Sequence, residues 1–225
     1  MIELINVGVS YSGRSLFSDV SLELPQGSFH FLTGPSGAGK TSLIRLCSLE
    51  RGPSEGRVRL LGQEAGQLDR DGVASMRRRI GVVHQDSRFI DHLTVAENVL
   101  LPLKVSPQPM AGAEENLEQL LGWVGLKAQA GNRPQELSGG ERQRAALARA
   151  VITSPEIILA DEPTGNVEWD MSLRLLDLLV ELNKLGKTVL CATHDMNLIR
   201  QAKTKVPTRV LRIRNGEVAL AGAGL

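Results

Sequence analysis

The chain has 225 residues, and 26 Lys and Arg against 25 Asp and Glu leave a net charge of +1, too balanced to drive general binding to nucleic acid or anionic lipid. Hydrophobic residues at 42% and charged residues at 23% are ordinary globular composition, which excludes a disordered chain and allows one to two domains with a sizeable core. Only 3% of residues are aromatic, so the core must be built mainly from Leu, Ile, Val and Ala, as in a sheet covered by helices, and Tyr11 is the single tyrosine.

The N-terminal stretch MIELINVGVS alternates like a strand and lacks the basic and apolar regions of a signal peptide. Strands are predicted over 2–7, 21–24 and 28–32, with turns at Gly13, Pro25 and Gly27. A glycine-rich loop follows, and then an apolar-periodic helix over 41–49. Further strands are expected over 57–61 and 80–83, and the basic run Met76-Arg77-Arg78-Arg79 between them reads as a solvated helix end.

From Gln85 to Pro155 the pattern turns helical, with capping boxes at Thr94-x-x-Glu97 and Ser138-x-x-Glu141. Amphipathic helices are predicted over 114–123 and 141–153, and Pro102, Pro107 and Pro109 mark a loop. Strands over 156–160, 187–192 and 209–213 then alternate with helices, and no regulatory domain is expected after Gly216. Cys47 and Cys191 sit in no CxxC motif or Cys/His cluster, which predicts neither a disulfide framework nor a cysteine metal site and fits a reducing compartment. No apolar run reaches the roughly 18 residues of a membrane span, so a cytoplasmic location is expected.

Residues 34–41, Gly34-Pro35-Ser36-Gly37-Ala38-Gly39-Lys40-Thr41, match GxxxxGK[ST] between a predicted strand and a predicted helix. Small residues let backbone N–H groups curl round phosphate oxygens, and the helix N-terminus adds positive potential. Lys40 can reach the β- and γ-phosphates, and the Thr41 hydroxyl can ligate Mg²⁺. The apolar strand ending in Asp161-Glu162 puts two carboxylates at the carboxyl end of a buried strand, where α/β sheets bind ligands. Asp161 is suited to hold Mg²⁺ through water, and Glu162 to orient or deprotonate an attacking water.

Leu137-Ser138-Gly139-Gly140-Glu141-Arg142-Gln143 offers a hydroxyl and unobstructed N–H groups at a helix N-terminus, a second anion site with no lysine of its own. Here the chain resembles the ATP-binding cassette (ABC) ATPases, whose signature is LSGGQ or LSGGE opening a helix, and the resemblance spans essentially the whole chain. It implies an α/β fold with a RecA-like P-loop core, an N-terminal antiparallel β subdomain and a helical subdomain insert. Within a single cassette over 1–225, the core would comprise 1–84 and 156–225 and the insert 85–155.

The resemblance further implies ATP and Mg²⁺ as ligands, and a head-to-tail homodimer in which Ser138, Gly139 and Gly140 face the γ-phosphate bound by the other subunit. In the family's order, Tyr11 matches the aromatic that stacks on adenine, Gln85 the Q-loop glutamine near Mg²⁺ and the water, and His194 the switch histidine. His30, His84 and His92 match no motif and read as structural. The D-loop departs from the family, with Glu168 where Asp is usual.

Thr164-Gly165-Asn166 and Glu97-Asn98-Val99-Leu100-Leu101-Pro102-Leu103 resemble the subgroup serving cell division, lipoprotein release and macrolide export. Residues 79–94 look most like the cell-division members, whose Q-loop usually reads FQDxRLLDxL, with Phe where this chain has His84. An integral membrane partner is therefore implied, docking near Arg88, Phe89, Ile90 and Leu93, with regulation of cell-wall hydrolysis as the output. Competing expectations are a transporter subunit and a non-hydrolysing ATP-dependent clamp, the latter motivated by Glu168. A DNA-repair ATPase is disfavoured, because 98 residues separate Lys40 from Ser138, without the long heptad insertion of that class.

Overall fold

The computed structural model describes residues 1–11, 14–86, 88–106, 112–165 and 167–221. Gly13, Pro107, Pro109 and Asn166, all singled out from the sequence, and position 87 of the stretch 79–94 lie outside the described residues. Two sheets are present among them. A four-stranded antiparallel sheet has the order β2-β1-β4-β5, from β1 (Ile2–Tyr11), β2 (Arg14–Leu24), β4 (Glu55–Leu60) and β5 (Gln63–Glu64). A six-stranded sheet has the order β10-β9-β3-β8-β7-β6, from β3 (Phe29–Thr33), β6 (Ile80–Val83), β7 (Ile157–Asp161), β8 (Thr188–Ala192), β9 (Thr208–Arg214) and β10 (Glu217–Leu220). All its pairings are parallel except that of β10 with β9.

Every residue of β3, β7 and β8 is buried, as expected of parallel strands covered on both faces. Alternate side chains enter two apolar clusters. Phe29, Phe31, Ile158, Ala160, Val189 and Cys191 face one cluster, built with α5 (Gly139–Val151), α6 (Trp169–Lys184) and α7 (Met196–Lys203). Leu32, Leu159, Leu190, Leu211 and Ile213 face the other, with the antiparallel sheet and α1 (Lys40–Cys47). The first cluster runs on without a break into Val95 and Val99 of α3 (Val95–Lys104) and Leu121 of α4 (Ala113–Trp123). The helical segment is thus welded to the sheet by shared apolar burial.

Both predicted capping boxes are formed. Thr94 caps α3, accepting from the Glu97 N–H while the Glu97 carboxylate accepts from the Thr94 N–H, and Ser138 and Glu141 do the same for α5. Pro102 sits inside α3 instead of in a loop, on its third turn, and the helix continues to Lys104. The antiparallel strands extend beyond the predicted stretches because their outer residues are polar on the solvent face. β10 was not expected: it is mostly exposed and joins β9 through Asn215-Gly216, both at positive φ (52° and 81°), a tight hairpin turn.

The basic run closes α2 (Arg70–Arg78), and Arg77 and Arg78 are exposed, as a solvated helix end requires. Arg79 differs. Its Nε and Nη2 donate to the Glu156 carboxylate at 2.6 and 3.0 Å, and its carbonyl accepts from the N–H groups of Glu156 and Ile157, fastening the entries of β6 and β7 together.

Candidate functional site

The loops that carry the candidate residues leave the carboxyl ends of adjacent parallel strands: the glycine-rich loop after β3, Gln85 after β6, Glu162 after β7 and His194 after β8. The ligand crevice of an open α/β sheet lies at this edge. Here a cavity of about 570 Å³ is lined by Gly34, Pro35, Ser36, Gly37, Gly39, Lys40, Thr41, Gln85, Asp161, Glu162 and His194, joined by Leu16, Ser42 and Gly165.

Gly39 precedes α1 at φ 106°, a left-handed conformation that disfavours a side chain, and no side chain caps the helix. No acidic residue lies in its first turn, so the N–H groups and positive end of α1 remain open to an anion. Lys40 Nζ donates to the carbonyls of Gly34 at 2.9 Å and Pro35 at 3.3 Å, which stretches the ammonium back across the loop it serves.

Asp161 is 3% exposed, and burial pushes its carboxyl above the usual range, partly offset by a hydrogen bond with the Thr41 side chain; the neighbouring Glu162 adds to the upward shift. Glu162 adopts φ 51°, a strained conformation for a non-glycine residue. Its N–H donates to the Ala192 carbonyl at 2.9 Å and its own carbonyl accepts from Gln143 Nε2 at 3.3 Å, so the backbone is held at both ends. The largely buried carboxylate lies 3.0 Å from Nδ1 of the exposed His194. A carboxylate braced by an imidazole beside an anion-binding loop can accept a proton from a water molecule aimed at a bound phosphate.

Five predicted residues lie elsewhere. Ala38 packs against the second apolar cluster instead of lining the cavity, its N–H donating to Pro35 O at 3.2 Å. Tyr11 ends β1 outside the lining, with its hydroxyl 3.3 Å from Ser42 Oγ and the Arg51 guanidinium 3.9 Å from its ring centroid. Ser138, Gly139 and Gly140 stand at the start of α5, with Ser138 and Gly139 exposed and none of the three lining this cavity. A Cβ at Gly139 would meet nothing within 4 Å among the described residues. Glu168 is exposed just before α6, and Asp170 lies in the first turn of that helix.

Of the histidines read as structural, His30 is buried in β3 and His92 is exposed. His84 Nε2 stands 3.3 Å from Glu50 Oε1. The sequence marks Asn98 only as part of the subgroup-like stretch 97–103 and gives no sign of its bracing role. This wholly buried side chain accepts from the Ile90 N–H at 2.8 Å and donates to the carbonyls of Ile90, Leu93 and Thr94 at 3.0, 3.1 and 2.9 Å. It latches the segment after Gln85 onto α3, and Arg149 of α5 adds a second hold by donating to the Arg88 carbonyl at 2.6 Å and stacking 4.6 Å from the Phe89 ring centroid.

Residues 17–165 match the ABC transporter family. The chain is an ABC-family ATPase. The cassette is 40% identical over 203 residues to the cell division ATP-binding protein FtsE of Haemophilus influenzae, covering 89% of this chain and 93% of that protein. It is 38% identical over 226 residues to the methionine import ATP-binding protein MetN of Caulobacter vibrioides, covering 99% of this chain and 67% of that protein. Among solved structures it superposes with a TM-score of 0.88 and 34% identity on a dimeric post-hydrolysis state of the ATP-binding cassette MJ0796 bound to ADP and Pi, covering 97% of this chain and 96% of that one. The ATPase has no helix long and apolar enough to cross a membrane among its described residues.

Proposed function

We propose that this ATPase binds MgATP at the cavity above β3 and hydrolyses it as a head-to-tail dimer. The observation that carries the reading is the exposure of Ser138 and Gly139 away from their own chain's glycine-rich loop, which leaves each signature segment free to close on a second copy. To engage the nucleotide, Lys40 exchanges the Gly34 and Pro35 carbonyls for β- and γ-phosphate oxygens, while the open N-terminus of α1 supports the same charge. Tyr11 takes the adenine.

The Thr41 hydroxyl, the Gln85 amide oxygen and the Asp161 carboxylate form an all-oxygen donor set, and the buried charge on Asp161, disfavoured by burial, is compensated by a divalent cation. No group of three or more His, Cys, Asp or Glu residues is placed to hold a metal among the described residues, in keeping with a cation shared between few protein ligands and the phosphates. Mg²⁺, when bound with ATP, neutralises phosphate charge. Glu162 accepts the proton of the attacking water, with His194 holding the carboxylate in place and reaching toward the γ-phosphate.

We infer that the membrane-side role follows the cell-division relatives. The segment Arg88, Phe89, Ile90 and Leu93, with Arg88 and Ile90 exposed and Phe89 and Leu93 half-buried, is latched by Asn98 and Arg149 and receives an integral membrane partner resembling FtsX, holding the ATPase at the inner face of the bacterial cell membrane. Dimer closure and reopening are relayed through this segment to regulate cell-wall hydrolysis. The similarity to MetN supports a second reading, a transporter subunit. Affinity purification from membranes separates the two: recovery with an FtsX-like protein supports the division role, and recovery with transport or lipoprotein-release subunits rejects it.

A further inference from the structure

We propose that Arg51 is a positioning residue for the nucleotide base, fixing the Tyr11 ring as a platform with one covered face and one face left for stacking. The proposal rests on the reading of Tyr11 as the adenine platform. The Arg51 guanidinium lies 3.9 Å from the Tyr11 ring centroid, within the range of a cation–π contact. It cannot swing freely: Nη2 donates to the Ser10 carbonyl at 2.6 Å, and the backbone N–H groups of Glu50 and Arg51 both donate to the Arg45 carbonyl, at 3.0 and 3.1 Å, tying the residue to the end of α1. Its buried Nε has no hydrogen-bond partner among the described residues, so the ring beneath is what the guanidinium plane is spent on.

The ring's far edge is held as well, through the 3.3 Å contact between its hydroxyl and Ser42 Oγ, and Ser42 lines the phosphate cavity one residue after Thr41. A ring fixed at a face and an edge is already ordered before nucleotide arrives, so less freedom is lost on binding than by a tyrosine at 38% exposure without these holds. Nothing in the glycine-rich, Asp-Glu or signature motifs points to Arg51, which lies in the loop after α1. Its contacts are with the strand end, not with the phosphate loop, so its effect belongs to the base and not to the phosphates.

The test measures binding of ATP and of inorganic tripolyphosphate, which has no base, to the wild-type protein and to Arg51→Met, Tyr11→Ala and the double variant, together with KM and kcat for ATP. Arg51→Met is expected to raise the ATP dissociation constant and KM about 3- to 10-fold, the range of one cation–π contact, with kcat and tripolyphosphate affinity unchanged. Arg51→Lys is expected to recover part of the loss, and Arg51→Met to add nothing in the Tyr11→Ala background. Unchanged or tighter ATP binding in Arg51→Met, an equal loss for tripolyphosphate, or a full additional loss in the Tyr11→Ala background overturns the proposal and leaves the platform standing. Unchanged ATP affinity in Tyr11→Ala overturns the platform itself.

Discussion

Replacing Asn98 by Ala removes four side-chain hydrogen bonds from a position with no solvent exposure. The Thr94 carbonyl keeps a partner, because it also accepts from the Asn98 backbone N–H at 2.9 Å. The Ile90 carbonyl likewise keeps the Leu93 N–H, at 3.1 Å, whereas the Ile90 N–H and the Leu93 carbonyl lose theirs. Four bonds at about 0.5–1.5 kcal/mol net each span about 2–6 kcal/mol, and because two of the three carbonyls keep a partner the variant should lose about 2–4 kcal/mol, provided the segment stays in place and its groups stay dry. If instead the segment lifts off α3 and rehydrates, the cost falls on local order, and the Ile90 amide should exchange with solvent far faster while global stability moves less. Urea unfolding and amide hydrogen exchange on Asn98→Ala cover both cases. Asn98→Asp keeps the acceptor for the Ile90 N–H but loses both amide donors and buries a charge, so it should be at least as damaging. A loss below about 1 kcal/mol in Asn98→Ala, together with unaltered exchange at Ile90, would refute the latch.

Lys40→Ala should abolish measurable ATP binding by calorimetry while leaving the thermal transition within a few degrees of wild type; retained affinity would remove Lys40 from the phosphate site. Gly81→Ala should cost about 3 kcal/mol in denaturant unfolding, because its Cβ would meet the Ala150 carbonyl oxygen at 2.2 Å and Pro155 Cγ at 2.9 Å; a neutral outcome would contradict this packing. His30 is 1% exposed with neither ring nitrogen hydrogen-bonded among the described residues, and burial, with Arg209 nearby, lowers its pKa from 6.5 to about 4. The unfolded chain therefore binds the extra proton first, and stability is complete above pH 6.5 and lost as pH falls toward about 4, by about 3 kcal/mol. His30→Leu should flatten that portion of the pH–stability curve, and an unchanged slope would place the acid sensitivity elsewhere.

The parts of this molecule that were legible in the sequence share a local cause. The glycine-rich loop, the Asp161-Glu162 strand end and the Ser138 capping box each declare themselves within eight residues, and the parallel sheet brings the strand-end groups together because they all sit at carboxyl ends. The Asn215-Gly216 hairpin carried an equally local signal that went unused. Asn98 did not declare itself, since its partners are backbone groups four to eight residues away that exist only once the segment folds back over α3. Leu16 likewise reaches the cavity through sheet pairing, and Tyr11 stands outside it because β1 ends beside Ser42 and not over the loop. Arg79 reads as one of a solvated run until β6 and β7 pair and bring Glu156 alongside. Short-range pattern specifies chemistry, whereas the groups that brace it are set by pairing across the fold.

The most direct test of the central claim is Glu162→Gln, measured for phosphate release and for molar mass by sedimentation with and without MgATP. Removing the proton acceptor should lower turnover by about 100-fold or more. ATP binding should persist, and the protein should shift from monomer to a dimer that requires ATP and is lost again when Ser138→Arg blocks the signature segment. Undiminished turnover, or a variant that binds ATP yet stays monomeric at concentrations well above those that saturate the site, would contradict the account.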